Sequence, residues 1–294
     1  MTILYRPPFE ARSFLLEVTE SCSHNKCSFC TMYRDIPFKV CSLDHIEKQL
    51  KSAAVYAPYT KRVFLENGDA FVLSANQLLQ IADLVHHYLP MVETISMYAS
   101  INNIRTKTDD ELILLQKAGI NELNIGAESG LDEALQYMNK GYSAKEAVYE
   151  LKRLNKAGID YGANIIFGCA GQSKGKINAK ATADLLNETS PYLIFTGTIH
   201  ADPGCPLYED MKKGTFIEST FEEYLDEEEL LLKSLDLPDC FYFGLHPSNV
   251  VRMSGDLGSD KEAMIKEIEK KRQILNTRIH ERPIRSGEGA ILNC

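Results

Sequence analysis

Cys22, Cys27 and Cys30 lie within nine residues, and no other group in the chain offers chemistry as plainly. They follow the apolar run Phe14-Leu15-Leu16-Glu17-Val18, which places them at the end of a strand-like segment. Three thiolates can hold a metal or an iron–sulfur cluster, and the count is informative. A structural tetrahedral site closes with four ligands, whereas a catalytic centre keeps one position open for substrate or cofactor. A zinc site would need a fourth ligand, for which His24 and Cys41 are the nearby candidates. Zinc sites usually present paired C-x2-C elements, and this run holds a single pair.

The elements that must position these thiols alternate along the chain. Strand patterns cover 13–19, 62–66, 94–99, 122–127, 162–168 and 192–199, each rich in β-branched, aliphatic or aromatic residues. Helical patterns lie between them, near 43–57, 76–88, 108–117, 131–138, 144–156 and 176–187. The tetrapeptide Lys-Ala-Gly-Ile occurs at 117–120 and again at 156–159, each time with Gly just past a helix. Thr108 with Glu111, and Ser143 with Glu146, fit capping boxes. Repeated βα units imply parallel strands with right-handed crossovers. The expectation is an α/β fold, an incomplete parallel (β/α)6 barrel over 1–218, with a mostly helical C-terminal extension over 219–294. In such folds the loops at the carboxyl ends of the strands build the site. Those ends carry Asn67-Gly68-Asp69, Ser100 and Asn102, Glu128-Ser129-Gly130, Gly168-Cys169-Ala170-Gly171 and His200-Ala201-Asp202-Pro203-Gly204-Cys205.

Composition narrows the function classes. A chain of 294 residues with 44% hydrophobic content supports one barrel-sized core, alone or with an extension. The net charge of −9 argues against a generic nucleic-acid binder. Much of it comes from Glu222, Glu223, Asp226, Glu227, Glu228, Glu229 and Asp236, which read as a solvated helix face. Eight cysteines, three clustered and five scattered, read as reduced thiols of a cytoplasmic protein rather than a disulfide framework. The N-terminus has no signal-peptide core, and no run reaches membrane-spanning length.

The cysteine run, taken with Glu66-Asn67-Gly68-Asp69, Gly126-Ala127-Glu128-Ser129-Gly130, Asn139-Lys140-Gly141 and Pro203-Gly204-Cys205-Pro206-Leu207-Tyr208, resembles the radical S-adenosylmethionine enzymes. The similar branch holds oxygen-independent coproporphyrinogen oxidases, methylthiotransferases and elongator-type catalytic subunits, and the resemblance covers about 10–218. One departure stands out. The commonest family spacing is C-x3-C-x2-C, whereas this chain has C-x4-C-x2-C.

The resemblance implies an oxygen-sensitive [4Fe–4S] cluster on Cys22, Cys27 and Cys30, with S-adenosylmethionine on the fourth iron. It implies cleavage to a 5′-deoxyadenosyl radical that takes a hydrogen atom from a small-molecule substrate, with a reductant such as flavodoxin or ferredoxin. By position, Asn67, Gly68 and Asp69 match the loop that meets the methionine amino group, and Glu128 matches a ribose contact. Lys140 matches a basic residue for the methionine carboxylate, a charge-assisted contact. Ser100, Asn102 and Asn164 match polar positions facing the cofactor, and Phe29 matches the adenine-contacting position. Plainer readings stand beside these: Asn67-Gly68-Asp69 as an ordinary turn, Glu128 as an N-cap neighbour, and Lys140 as a solvated cation.

Cys205 stands where the resembling families often have Thr, and a thiol there could act catalytically by donating a hydrogen atom to a substrate radical. Cys169 and Cys240 share that possibility, and the plain reading of all three is small apolar filler. His246-Pro247-Ser248-Asn249 reads equally as a substrate-side loop or a fixed turn. Methylthio transfer is disfavoured because a second cysteine cluster is absent. Two rival classes remain, a haem or cofactor carrier without turnover and a zinc-stabilised binding protein.

Overall fold

The computed structural model describes residues 5–277. A 3-10 turn (Pro8–Glu10) leads into β1 (Phe14–Leu16) and the ribbon strands β2 (Thr19–Glu20) and β3 (Lys39–Val40). The repeats follow as α1 (Leu43–Tyr56), β4 (Arg62–Leu65), α2 (Ala75–Tyr88), β5 (Thr94–Ala99), α3 (Ile101–Arg105) and α4 (Asp109–Lys117). Next come β6 (Glu122–Glu128), α5 (Asp132–Tyr137), α6 (Ala144–Ala157), β7 (Asp160–Phe167), α7 (Gly175–Thr189) and β8 (Leu193–Thr198). The described chain ends with α8 (Pro206–Lys213), α9 (Phe221–Ser234), β9 (Phe241–Phe243), β10 (Ser254–Asp256) and α10 (Lys261–Thr277).

The main sheet runs β1-β4-β5-β6-β7-β8-β9-β10, parallel from β1 through β9 and antiparallel only at β10. Its edges, β1 and β10, do not pair, so the α/β architecture is an open partial barrel. Side chains alternate across each strand. Val63, Leu65, Ile95, Met97, Leu123, Ile125, Ala163 and Ile194 fall on one face and are buried in the hydrophobic core with the helices. The other face carries Ser96, Asn124, Gly126, Gly162 and Asn164 in register with Phe64, Tyr98, Leu193 and Phe195, so small, polar and aromatic groups share the barrel interior. Among the described residues no helix is long and apolar enough to cross a membrane.

Local signals account for the helix boundaries. The side chains of Thr108 and Ser143 both accept N3 amides in complete capping boxes, as their spacing predicts. Gly119 and Gly158 adopt φ of +85° and +75°, the left-handed turn that the repeated tetrapeptide marks.

Three features depart from the sequence pattern. Only Phe14–Leu16 of the run 13–19 joins the main sheet, and Thr19–Glu20 peels off to pair with Lys39–Val40. Ser100, with Asn103 at N3, starts the short helix α3, which the pattern over 108–117 did not include. The segment beyond 218 is not purely helical, because β9 extends the parallel sheet beside β8 and β10 closes that edge. Three aromatic residues are too short a run to show a period, and their pairing with Leu193–Phe195 and Ser254–Asp256 makes them a strand.

The amino-terminal side of the barrel is closed by charge. Glu10 is fully buried and accepts hydrogen bonds from Arg62 (2.8 Å) and Ser96 (2.7 Å). Arg62 also grips Glu122 through both terminal nitrogens (3.1 and 2.8 Å), and Tyr192 donates to Glu122 at 2.7 Å. This plug leaves the carboxyl ends of the strands as the working face.

Candidate functional site

The β2–β3 ribbon pinches off the segment that carries Cys22, Cys27 and Cys30. All three thiols are free and partly exposed. Their loop is held from inside and outside. Within it, Ser21 Oγ donates to the Ile36 carbonyl (2.7 Å) and Asn25 Nδ2 to the Tyr33 carbonyl (2.6 Å). The Arg34 guanidinium donates to the carbonyls of Cys27 (2.7 Å) and Cys30 (3.0 and 3.2 Å), fixing the backbone between two thiols. From outside, Asn139 Nδ2 donates to the Lys26 carbonyl (2.9 Å), the Ser28 amide to the Met138 carbonyl (3.1 Å), and the Leu207 amide to the Ser28 carbonyl (3.0 Å).

The Asn67-Gly68-Asp69 turn packs directly on this loop. The Gly68 amide donates to the Ser21 carbonyl at 3.2 Å. A Cβ at position 68 would lie 2.7 Å from the Tyr33 ring and 3.1 Å from Cys22 Cβ, so only glycine fits between them. Asn67 sits at φ +76° and donates to the Thr19 carbonyl at 2.5 Å. Asp69 takes a hydrogen bond from Ser23. Burial pushes its carboxyl up to about 6, opposed by that bond and by nearby Asn103.

Glu128 and Lys140 form the charged part of the site. Their side chains meet at 2.9 Å and both are buried. Glu128 ends β6 at φ +61°, beyond a register shift that starts at Gly126, and a side chain at Gly126 would collide with its carboxylate. Burial works to lower Lys140, but Glu128, Tyr142 and Cys27 outweigh it and hold the ammonium charged. Burial also raises all three thiols, Cys22 to about 11 with Asp69 adding to the rise. Thiols in that state gain most from a cationic partner that takes their protons' place.

Other candidate positions have different surroundings. Ser100 donates to Asn103 in its own capping box (2.9 Å), and Asn102 Nδ2 donates to the Lys140 carbonyl (3.0 Å). These two hold the walls of the site. Asn164 is half-buried on β7, in register with Gly126 on one side and Phe195 on the other. Phe29 packs partly buried against the core. Cys205 is buried at the N-cap of α8. Cys169 is buried beside Asn178 (3.6 Å), and Cys240 is buried next to β9, both in the manner of core filler. His246 accepts from the Ser248 amide and lies edge-on to Phe195 at 5.8 Å, in a turn fixed by Asn249 bonds to the carbonyls of Thr196 (2.9 Å) and Gly244 (3.0 Å).

Arg34, Tyr33 and Asn103 belong to the site but had no sequence signal of their own. Each acts through the fold, by bonding a loop carbonyl, walling Gly68, or approaching Asp69.

The residues fit an iron–sulfur cluster and a polar organic cofactor. Among the described residues, buried side-chain atoms without a hydrogen-bond partner occur on Ser28, Tyr33, Asn67, Asp69, Asn124 and Ser219. Four of these six belong to the cysteine loop or the turn packed on it. Buried polar groups are normally satisfied, so such a concentration marks a place built for a ligand.

A partial parallel barrel with three free thiols after its first strand defines the class of protein. The profile of the Radical SAM superfamily matches residues 16–179, more than half of the sequence, and the chain belongs to that superfamily. Its cofactors are S-adenosylmethionine and a [4Fe–4S] cluster. The haem chaperone HemW of Bacillus subtilis (strain 168) is 21% identical over 180 residues, covering 61% of this chain and 47% of HemW. The chain therefore spans about half the length of that curated relative. Methylornithine synthase PylB superposes with a TM-score of 0.54 at 15% identity, covering 90% of this chain and 81% of PylB. The methyltransferase TsrM from Kitasatospora setae, solved with cobalamin and a [4Fe–4S] cluster, gives 0.54 at 16% identity over 68% of this chain and 39% of its own. These likenesses establish a shared fold.

Proposed function

We propose that the chain is a cytoplasmic radical S-adenosylmethionine enzyme acting on a small molecule, with Cys22, Cys27 and Cys30 as the three cluster ligands. The observation that carries this reading is the set of unsatisfied buried groups gathered around three free thiols. When bound, the cluster and S-adenosylmethionine supply one-electron cleavage to a 5′-deoxyadenosyl radical. The protein's own groups bind, orient and exclude water. Arg34 holds the Cys27 and Cys30 carbonyls by hydrogen bonds and so fixes the backbone that carries those two thiols. Asn67 Oδ1 and Asp69 Oδ1 are acceptors for the methionine ammonium, and Lys140 is the cation for its carboxylate. Glu128 holds Lys140 in place and offers a carboxylate to the ribose. Phe29 is the adenine neighbour, with Asn164, Ser100 and Asn102 on the walls. Cys205 is the hydrogen-atom donor.

The test is anaerobic reconstitution with iron and sulfide, then dithionite and S-adenosylmethionine, with a flavodoxin or ferredoxin as the alternative donor. A brown protein that releases 5′-deoxyadenosine, and loses both properties on Cys22→Ala, supports the reading. A protein that binds no cluster, or never releases deoxyadenosine, overturns it. For Cys205, the Cys205→Ala variant should keep deoxyadenosine release and lose product.

The match to HemW favours one second reading, a haem carrier without turnover. Stoichiometric haem binding by a protein that consumes no substrate would select it. A colourless protein that carries zinc on its cysteines would select the zinc-stabilised binding protein instead.

A further inference from the structure

Cys41 does not approach the cysteine trio as a fourth ligand. It meets Glu17 and His45, and their ligand atoms lie within 4.8 Å of one another. His45 Nε2 is already 3.0 Å from Glu17 Oε2. The three residues come from separate elements, Glu17 just past β1, Cys41 just past β3 and His45 in the first turn of α1.

Each is held by its backbone. The Gln49 amide clamps Glu17 from both sides, accepting from its N–H (3.1 Å) and donating to its carbonyl (3.0 Å). Gln49 lies one helical turn beyond His45, so one face of α1 supplies both the clamp and the imidazole. The Cys41 amide donates to the Val18 carbonyl (3.0 Å), and the Ser42 side chain caps the helix by accepting from the His45 amide (3.2 Å). A surface ion pair needs none of this. It also has no use for a thiol as third member.

We propose that Glu17, Cys41 and His45 form a second metal site, distinct from the cluster cysteines, for a divalent cation of the zinc type. A thiolate, an imidazole and a carboxylate make a mixed sulfur, nitrogen and oxygen set that suits zinc and excludes magnesium or calcium. Three protein ligands leave the fourth tetrahedral position to water, and the exposed His45 gives the ion an entry path. Binding releases the Cys41 thiol proton to solvent.

The position gives the site its role. Glu17 lies on the limb entering the cysteine loop and Cys41 on the limb leaving it, while the ribbon joining the limbs is two residues long on each side. An ion bonded to both limbs clips the neck of the loop that presents Cys22, Cys27 and Cys30. This holds whether or not the loop carries a catalytic cluster.

The test uses the full chain with Cys22, Cys27 and Cys30 replaced by alanine, titrated with Co2+. Expected are a thiolate-to-cobalt charge-transfer band and intense visible bands of tetrahedral cobalt, at one ion per chain and displaced by Zn2+. Adding Cys41→Ser should abolish the charge-transfer band, and adding His45→Ala should weaken binding at least tenfold. In the holoprotein, Cys41→Ser should lose zinc at matched iron content, a comparison that stands even if the triple variant does not fold. No thiolate band, or a band and a zinc content indifferent to Cys41→Ser, would overturn the site and leave an ion pair beside a free thiol. Deoxyadenosine release is not a readout here, so failure of this site and failure of the proposed enzyme are told apart.

Discussion

Lys140 Nζ lies 2.9 Å from Glu128 Oε1, and the two side chains are only 9% and 10% exposed. A pair this deep is needed in both halves, because removing one leaves the other charge buried alone. Lys140→Ala should therefore destabilise the apoprotein by about 3–5 kcal/mol. The double variant Glu128→Gln, Lys140→Met should recover most of that loss, since a neutral pair has no charge to desolvate. It should not recover S-adenosylmethionine binding, which loses a charge-assisted contact and weakens at least tenfold. Urea unfolding and equilibrium dialysis read the two effects separately. A double variant that binds the cofactor normally would remove the pair from the site.

Gly68→Ala gives a different kind of failure. The added methyl would lie 2.7 Å from the Tyr33 ring and 3.1 Å from Cys22 Cβ. Overpacking of that sort costs roughly 1–3 kcal/mol. Here the strain falls on Cys22, a proposed cluster ligand, so iron content should drop more than stability does. Tyr33→Leu in the same chain should restore much of the iron by clearing the closer contact. Iron analysis and thermal melting of the three proteins check it, and full iron loading in Gly68→Ala alone would sink the argument.

The sequence exposed the residues whose types are unusual and hid those that act by position. Cys22, Cys27 and Cys30 stand out by spacing, and Asn67-Gly68-Asp69 by its place after a strand. The repeated Lys-Ala-Gly-Ile turns and the capping boxes set helix ends to within a residue or two. Arg34 could not be picked out, because an arginine in a polar loop looks like any solvated cation until its carbonyl partners are known. Ser100 and Asn102 show the reverse: polar residues at a strand end, they make scaffold hydrogen bonds to Asn103 and to the Lys140 backbone. β9 stayed hidden because three residues carry no period and their strand character comes from pairing with β8 and β10. Cys41, in sequence a candidate fourth ligand for the cysteine loop, is drawn by the β2–β3 ribbon to Glu17 and His45.

The plug at the opposite end of the barrel predicts a stability effect without a catalytic one. Glu10 is fully buried, and Arg62 is its one ion-pair partner among the described residues. Arg62→Ala strands that carboxylate, together with the partly buried Glu122, and should cost about 3 kcal/mol. Deoxyadenosine release per cluster should be unchanged, because the plug is at the amino ends of the strands. A loss of turnover without a loss of stability would mean that the two ends of the barrel are coupled.

Two adjacent acids of α9, buried rather than on the solvated face expected of them, contribute to the pH dependence of stability. Glu227 is fully buried, hydrogen-bonded by Asn178 (2.7 Å) and the Gly168 amide (2.9 Å), and burial raises it to about 7. Glu228, buried beside it, accepts from Tyr242 at 2.6 Å, and burial raises it from an ordinary 4.5 to about 8. The folded chain thus keeps these protons where the unfolded chain has lost them. Below pH ~4.5 both states are protonated and the acids are neutral in effect; between ~4.5 and ~8 stability falls as pH rises. Above that window the penalty is complete, on the order of 8 kcal/mol for the two acids together. Glu228→Gln keeps an oxygen for the Tyr242 hydroxyl and discards the titration. Its melting temperature should lie above that of the parent at pH 8.5 by about 5 °C and converge with it near pH 5. If parent and variant lose stability in parallel across that range, the carboxyl at 228 is not the group that titrates.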